Sequence, residues 1–328
     1  MEFGVSVPHG KPGLYTDYGM IREATFECER LGYDSIYLSD HVVPRPNTPY
    51  PERDKYDLDV PYFECWTLLS ALAVETKDVK LGTFTLCNSF RHPPSLLAKM
   101  ASTLDHISGG RLIFGIGAGY NEQEYVMYGV PYPRTSVRIR QLDEAIKIIR
   151  MIWTEEKPSF SGKYYNIREP ICNPKPLQKP HPPILIGGRG RRLMMRVVAK
   201  HADRWNWPPA VPCTPEVYSE YCEILWRNCE AVGRDPDRII KSLGDICHIS
   251  DDKTELKTEI SRYKPDELSM EDYCFHLIGT PEECIEKINV YKDLGISELV
   301  LQFPSLAAGE TRDVELFAEK VIPAFKKK

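Results

Sequence analysis

Short apolar runs alternate along the chain with longer stretches in which apolar residues recur every three or four positions. The short runs predict buried strands, and the periodic stretches predict helices that bury one face. The predicted strands are 3–7, 35–38, 79–86, 111–116, 184–186, 204–207, 240–249 and 296–303. The main predicted helices are 18–31, 63–76, 94–107, 191–202, 215–232, 281–294 and about 313–325. Eight strands with intervening helices predict an α/β fold, a (β/α)8 TIM barrel.

A doubly wound sheet is the alternative, but such sheets usually carry a GxGxxG turn after the first strand. The first turn here, 8–13, lacks that spacing. Two insertions are predicted, one after the fourth strand (about 121–182) and one after the seventh (about 251–278). The first contains a long amphipathic helix, 136–153, and a small hairpin, 160–167. We expect a single domain over 1–328, in which the insertions act as lids or oligomer contacts.

Two of the predicted strands open into glycine-rich turns. The first turn ends the stretch RLIFGIGAG and the second ends PPILIGGRG, before a helical pattern; their glycines are Gly115, Gly117 and Gly119, and Gly187, Gly188 and Gly190. Glycine allows a tight turn and a close approach of the backbone to a ligand. The N–H groups at a helix start are unpaired within the helix and attract anions. Two such turns in one chain suggest a phosphorylated cofactor.

Composition narrows the functional classes. A net charge of −5 gives no electrostatic reason to expect binding to nucleic acid or to an anionic membrane. No apolar run reaches the roughly 18 residues of a membrane span, and the chain starts directly in a predicted strand, so we expect a cytoplasmic protein. The ten cysteines form no CxxC pair, and no cluster has metal-ligand spacing, which disfavours a disulfide framework and a metal site.

The loops after the barrel strands form the C-terminal mouth, where barrel enzymes carry their chemistry. Asp40 and His41 follow the second strand. A histidine there can bind a cofactor or move a proton, and a neighbouring carboxylate can fix its tautomer; the alternative is a histidine that only satisfies a loop carbonyl. Thr83, Phe84 and Asn88 close the third strand, where they can contact a flat heterocycle or simply end the strand.

Other polar residues lie near the predicted mouth. Asn206 stands between Trp205 and Trp207, an unusual choice for packing alone. Arg189, Arg191 and Arg192 add positive charge at the second glycine turn, where one of them can bind phosphate; solvation is the alternative reading for the others.

The sequence resembles the bacterial luciferase-like monooxygenase family over nearly its whole length. The segments that carry the resemblance are LGYDSIYLSDH (31–41), LGTFTLCNSFRHPPSLLAKMASTLDHISGGRLIFGIGAGYNEQEY (81–125), VRIRQLDEAIKIIRMIW (137–153), PKPLQKPHPPILIGGRG (174–190) and ADRWNW (202–207). The family implies a barrel with insertions and a flavin or deazaflavin at the mouth, often in a homodimer.

Within the family, LCNS and CNPKPLQKPHPPILIGG are most similar to probable coenzyme F420-dependent oxidoreductases. F420 is a phosphate-bearing 5-deazaflavin that carries hydride. The resemblance places the phosphate on residues of the two turns, Gly117, Ala118, Gly119, Gly188, Arg189 and Gly190. We expect Tyr120 and Gly187, beside them, to contact the cofactor as well. It places His41 beside the reactive carbon and implies a non-prolyl cis peptide in a bulge at Thr83–Phe84. We expect Asp40 to orient His41.

One position departs from the sugar-phosphate dehydrogenases of the family. They have an acidic Glu after the first glycine turn, where this chain has Tyr120, with Glu122 and Glu124 further on. We therefore expect hydride transfer between F420 and an unidentified small organic substrate, by another mechanism. The alternatives are an FMN-dependent two-component monooxygenase with a reductase partner, and a non-catalytic flavin-binding protein.

Overall fold

Eight parallel strands hydrogen-bond edge to edge and close on themselves in the computed structural model, which describes residues 1–10, 17–43, 61–208, 213–263 and 276–326. The strands of the described residues are β1 (Glu2–Ser6), β2 (Ser35–Leu38), β3 (Lys80–Thr83), β4 (Leu86–Cys87), β5 (Leu112–Gly117), β6 (Ser159–Ser161), β7 (Asn166–Arg168), β8 (Ile184–Gly187), β9 (Arg204–Trp207), β10 (Ile240–Ile249), β11 (Leu277–Gly279) and β12 (Glu298–Gln302). The barrel order is β1-β2-β3-β5-β8-β9-β10-β12, and β12 pairs with β1. The predicted TIM barrel is confirmed.

Helices surround the barrel. They are α1 (Tyr18–Arg30), α2 (Cys65–Glu75), α3 (Pro94–Ile107), α4 (Glu122–Met127), α5 (Thr135–Thr154), α6 (Leu193–His201), α7 (Pro215–Ala231), α8 (Lys253–Tyr263), α9 (Pro281–Asp293), α10 (Pro304–Ala307) and α11 (Arg312–Leu316). Their ends follow local chemistry: Thr280 and Glu283 form a reciprocal capping box at the start of α9, with Pro281 in the first helical position. None of the described helices combines the length and apolar character needed to span a membrane.

The barrel interior is filled by a small apolar layer. Tyr37, Ile113, Leu185 and Val300 are buried there, and Phe84 packs against them. A side chain at Gly82 would overlap the Tyr37 ring, so this position requires glycine. The larger core lies between the strands and the surrounding helices.

Two predicted boundaries need correction. The predicted strand 79–86 is interrupted, because β3 ends at Thr83 and the chain resumes as β4, which pairs with β5 rather than continuing alongside β2. The predicted last helix, 313–325, begins as α11 and continues as a π-helical turn (Phe317–Val321) and a 3-10 turn (Ile322–Ala324).

Both insertions contain ordered elements. Between β5 and β8 lie α4, α5 and the antiparallel β6–β7 hairpin, in which Phe160 pairs with Ile167. After β10 lie α8 and β11, and β11 pairs with the extended end of β10. Residues 264–275 of this second insertion, and 11–13 of the predicted first turn, lie outside the described residues.

Candidate active site at the barrel mouth

His41 follows β2 at the mouth, and Glu124 holds it from the first insertion. Oε1 of Glu124 lies 2.9 Å from Nδ1 of His41 and also accepts a hydrogen bond from the backbone N–H of Val42, at 3.2 Å. Glu124 is buried, with 3% of the residue exposed. A carboxylate on Nδ1 favours the tautomer in which the proton is on Nδ1 and Nε2 carries a lone pair.

The orienting role predicted for Asp40 was wrong. Its buried carboxylate accepts a hydrogen bond from Cys87 N, at 2.7 Å, and pairs with the guanidinium of Arg91. Burial raises the pKa of Asp40 overall, although Arg91 opposes this shift. Asp40 therefore holds the segment from Cys87 to Arg91 beside the site, whereas Glu124 contacts the histidine.

Tyr120 lies over the other side of His41. Its hydroxyl is 3.4 Å from Nε2 of His41, and the two rings meet edge to face with centroids 5.8 Å apart. Half of the Tyr120 surface is exposed to solvent. The tyrosine that replaces the expected glutamate therefore stands at the histidine's reactive nitrogen, on the open side of the mouth.

The carbonyl groups of the first glycine turn all point towards the insertion. Ala118 O accepts from the Tyr125 hydroxyl at 3.2 Å, Gly119 O from Arg138 Nε at 3.3 Å, and Tyr120 O from the Tyr132 hydroxyl at 2.8 Å. In a planar trans peptide, the N–H points opposite to the C=O. The N–H groups that follow these carbonyls therefore face away from the insertion, as an anion cradle requires.

The two glycine turns are neighbours around Thr85. A Cβ on Gly117 would lie 2.8 Å from Thr85 Oγ1, and one on Gly187 would lie 3.2 Å from Thr85 Cγ2. Strands β5 and β8 are paired, with Ile116 opposite Ile186, and this brings the turns together. The two turns therefore lie side by side at the mouth, with the Thr85 side chain between them. Thr85 is not among the predicted site residues, because no pattern along the chain distinguishes it from its neighbours.

The predicted site residues at the end of β3 and just after it have different contacts. Thr83 is fully buried and its hydroxyl exchanges hydrogen bonds with Gly115, donating to the carbonyl and accepting from the N–H. Phe84 packs against Tyr37 with ring centroids 5.4 Å apart. The non-prolyl cis peptide is at Phe84–Thr85, one bond beyond the predicted Thr83–Phe84 position. Thr83 thus supports the site, and Phe84 and Thr85 border it.

Asn88 carries an unsatisfied acceptor at the mouth. Its Nδ2 donates to the Tyr165 hydroxyl at 3.2 Å, whereas its buried Oδ1 accepts no hydrogen bond from any residue that the structure describes. A buried amide oxygen without a donor is costly. Asn88 therefore offers an acceptor to a polar ligand.

Aromatic residues support the second turn from outside. Trp205 donates a hydrogen bond from Nε1 to Gly188 O at 2.9 Å, and the Arg189 guanidinium lies 5.8 Å from the Trp207 ring centroid. Arg189 and Gly190 are exposed, whereas Arg191 pairs with Glu220 on α7. Of the first two arginines of this turn, Arg189 is the one available to an anion.

Asn206 lies inside the barrel, away from the two tryptophans. It is buried, and its Nδ2 donates to Ser242 Oγ at 3.1 Å. Trp205 and Trp207 pack outside against α7, so the alternating directions of a strand explain the sequence Trp-Asn-Trp. Asn206 cross-links β9 to β10, and a contact between Asn206 and a cofactor stays a prediction.

The cysteine at the mouth is a buried thiol. Burial raises the pKa of the Cys87 thiol to about 11, and the sulfur lies 3.1 Å from the Tyr125 hydroxyl. The cysteines of the described residues are free thiols.

Comparison with known proteins identifies the family of this chain. The family model "Luciferase-like monooxygenase" matches residues 1–274. The F420-dependent glucose-6-phosphate dehydrogenase of Intrasporangium calvum is 28% identical over 334 residues, covering 92% of this chain and 93% of that protein.

Two solved structures share the fold. An F420-dependent secondary alcohol dehydrogenase, in complex with an F420-acetone adduct, matches with a TM-score of 0.80 at 20% identity, over 99% of both chains. A long-chain alkane monooxygenase matches with a TM-score of 0.79 at 18% identity, over 98% of this chain and 89% of that one. The chain belongs to the luciferase-like monooxygenase family.

Proposed function

We propose that this protein transfers hydride between coenzyme F420 and a small organic alcohol or its carbonyl product. The observation that carries the proposal is the His41–Glu124 pair, which presents a basic nitrogen beside the glycine cradle. The predicted enzyme class, an F420- or flavin-dependent oxidoreductase, is confirmed by family membership and by the F420-dependent relatives.

The residues of the mouth fit a phosphorylated deazaflavin. The N–H groups of the first turn, together with those of Gly188, Arg189 and Gly190, would bind the phosphate, and Arg189 adds a cation. Gly117 keeps open the space that a Cβ would fill against Thr85. Oδ1 of Asn88 would accept a hydrogen bond from the polar edge of the ring system. When bound, F420 supplies the hydride acceptor or donor.

The protein's own part of the reaction is proton transfer. In the direction of alcohol oxidation, Nε2 of His41 accepts the hydroxyl proton as the substrate carbon loses hydride. Glu124 holds Nδ1–H and stabilises the imidazolium that forms, since a carboxylate beside a charged imidazole lowers its energy. The Tyr120 hydroxyl, next to Nε2, donates a hydrogen bond to the substrate oxygen.

The substrate class follows from the same residues. Tyr120 occupies the place of the acidic glutamate, and Glu124 is committed to His41 and Val42. A neutral phenol and a histidine base suit an uncharged alcohol or ketone. We therefore favour a small secondary alcohol over a sugar phosphate, although the F420-dependent relatives include glucose-6-phosphate dehydrogenases.

A side-by-side titration of the purified protein with F420 and with FMN tests the cofactor. We expect selective binding of F420, followed by absorbance loss of oxidised F420 with small secondary alcohols. His41→Asn should retain F420 affinity and lose most of the turnover. Preference for FMN, with oxygen consumption from reduced FMN, would instead assign the protein to the monooxygenase branch.

The non-catalytic alternative, the oligomeric state, the reductase partner and the cellular location stay predictions. Tight binding of F420 without turnover across alcohols, enones and imines would favour the non-catalytic alternative. The resemblance predicts a homodimer and, if the cofactor is FMN, a reductase partner, and the sequence predicts a cytoplasmic location. Light scattering of the purified protein measures whether it is a dimer.

A further inference from the structure

Three potential metal ligands converge where the seventh barrel strand leaves the barrel. His248 comes from β10, Glu259 from α8 of the second insertion, and Asp313 from α11. Each offers one ligand atom, and these atoms all lie within 4.8 Å of one another. Sequence reasoning could not find this cluster, because the three residues lie on separate elements without a common spacing.

Burial makes the cluster unusual. His248 is fully buried and Asp313 is 1% exposed. Oδ2 of Asp313 accepts no hydrogen bond from any group in the described part of the chain. The adjacent cation, Arg312, pairs with Glu255. A buried carboxylate oxygen without a donor is strongly disfavoured unless a cation or a proton satisfies it.

We propose that His248, Glu259 and Asp313 bind a divalent transition-metal cation of the Zn²⁺ type. One imidazole nitrogen and two carboxylate oxygens are ligands that such a cation accepts, at about 2.0–2.2 Å each. At those bond lengths, neighbouring ligand atoms are separated by roughly 3–4 Å, so the observed cluster needs only small side-chain movements.

The cation would join α8 to β10 and α11, which already share the main apolar core through Cys247 and Val314. Only Leu256 and Ile260 of α8 form the small buried cluster with Ile246 and Ile278. A metal ion on Glu259 would tie this helix to β10 and α11. The ion would have a structural role, independent of the cofactor and of His41.

Zn²⁺ titration of chelator-treated protein by calorimetry tests the proposal. We expect one tight site per chain, weakened at least about 100-fold by Asp313→Asn and by Glu259→Gln. Glu255→Gln is the matched control, because Glu255 lies on the same helix and outside the cluster; its affinity should stay within about threefold of wild type. Absence of a tight site, or equal losses in Glu255→Gln and Glu259→Gln, would overturn the proposal.

Two further readouts separate binding from misfolding and from thiol sites. Zn²⁺ should raise the melting temperature of the wild type and leave that of Asp313→Asn unchanged, with both proteins folded by circular dichroism before metal is added. Co²⁺ should give visible d–d bands without a thiolate charge-transfer band. A thiolate band that persists in Asp313→Asn would place the metal on the cysteines and contradict the proposal.

Discussion

Oε1 of Glu124 and Nδ1 of His41 lie 2.9 Å apart although the residues are separated by 83 positions. The contact joins the loop after β2 to the first helix of the insertion, so the insertion reaches the mouth of the barrel. Because Glu124 also accepts from Val42 N–H, its carboxylate is held on two sides. Glu124 is a positioning residue for His41.

Replacing Glu124 by Gln should reduce kcat by about 10²–10³-fold, because the amide cannot stabilise the imidazolium and permits the wrong tautomer. F420 affinity should stay within about twofold, since Glu124 does not touch the cradle. Steady-state kinetics and F420 titration measure the two effects. Glu122→Gln is the control: Glu122 is exposed on the same helix, and its replacement should leave kcat unchanged. A loss confined to KM would contradict the role of Glu124.

Gly119 should tolerate no side chain. Its φ is +71°, and a Cβ there would overlap the Tyr125 hydroxyl and the Cys87 sulfur. Gly119→Ala should therefore lose about 2–4 kcal/mol of unfolding free energy and weaken F420 binding. Gly129 has nearly the same φ, +67°, but nothing within 4 Å of its Cβ position, so Gly129→Ala should lose only about 1 kcal/mol. Urea denaturation measures the loss of unfolding free energy in the two variants. Equal losses would show that the positive φ, and not the overlap with Tyr125 and Cys87, sets the loss in Gly119→Ala.

The barrel could be predicted because each strand is a short apolar run and each helix repeats every three to four residues. Those local patterns survive in the structure, and the two glycine turns lie at the mouth as expected. What the sequence could not supply was the direction of individual side chains in the loops. Asp40 and His41 are adjacent in the chain, yet one carboxylate turns to Arg91 and the imidazole turns to Glu124.

For Glu124 and Thr85 as well, the sequence does not show which way the side chain points. Glu124 is one of two nearby acids, Glu122 being the other, and only the start of α4 decides which of them faces His41. Thr85 became a site residue because its side chain lies between two turns from different strands. Contacts between distant segments depend on register and loop path, and neither can be obtained from periodicity alone.

The floor of the barrel should depend on a buried ion pair. Glu298 is fully buried, accepts a hydrogen bond from the Tyr37 hydroxyl at 2.7 Å, and lies 2.9 Å from Arg204. Glu298→Gln removes the charge opposite Arg204 and should lose about 3 kcal/mol of unfolding free energy. Glu2 pairs with Arg204 from a partly exposed position, so Glu2→Gln should lose less than about 1 kcal/mol. Chemical denaturation at pH 7 measures the unfolding free energy of both variants. A larger loss of unfolding free energy in Glu2→Gln than in Glu298→Gln would contradict the expected order.

Glu64 should make folding stability depend on pH in the acidic range. Burial alone would raise its pKa, but hydrogen bonds from Thr67 and Trp66 and the charge of Arg91 lower the pKa to about 2. A carboxylate with a folded pKa below its unfolded value of about 4.5 stabilises the fold above pH 4.5. This stabilisation disappears as the pH falls towards 2.

Glu64→Gln removes the titrating group and keeps an oxygen at the start of α2. The difference in unfolding free energy between wild type and variant should be about 1 kcal/mol at pH 7, a value limited by solvent screening because the side chain is 41% exposed. It should shrink steadily between about pH 4.5 and pH 3, since the wild-type carboxylate then begins to bind a proton more readily in the unfolded chain than in the fold. Urea denaturation across this range measures the difference. A difference that widens at low pH would mean that Glu64 is destabilising when ionised, and that the helix start gains nothing from its charge.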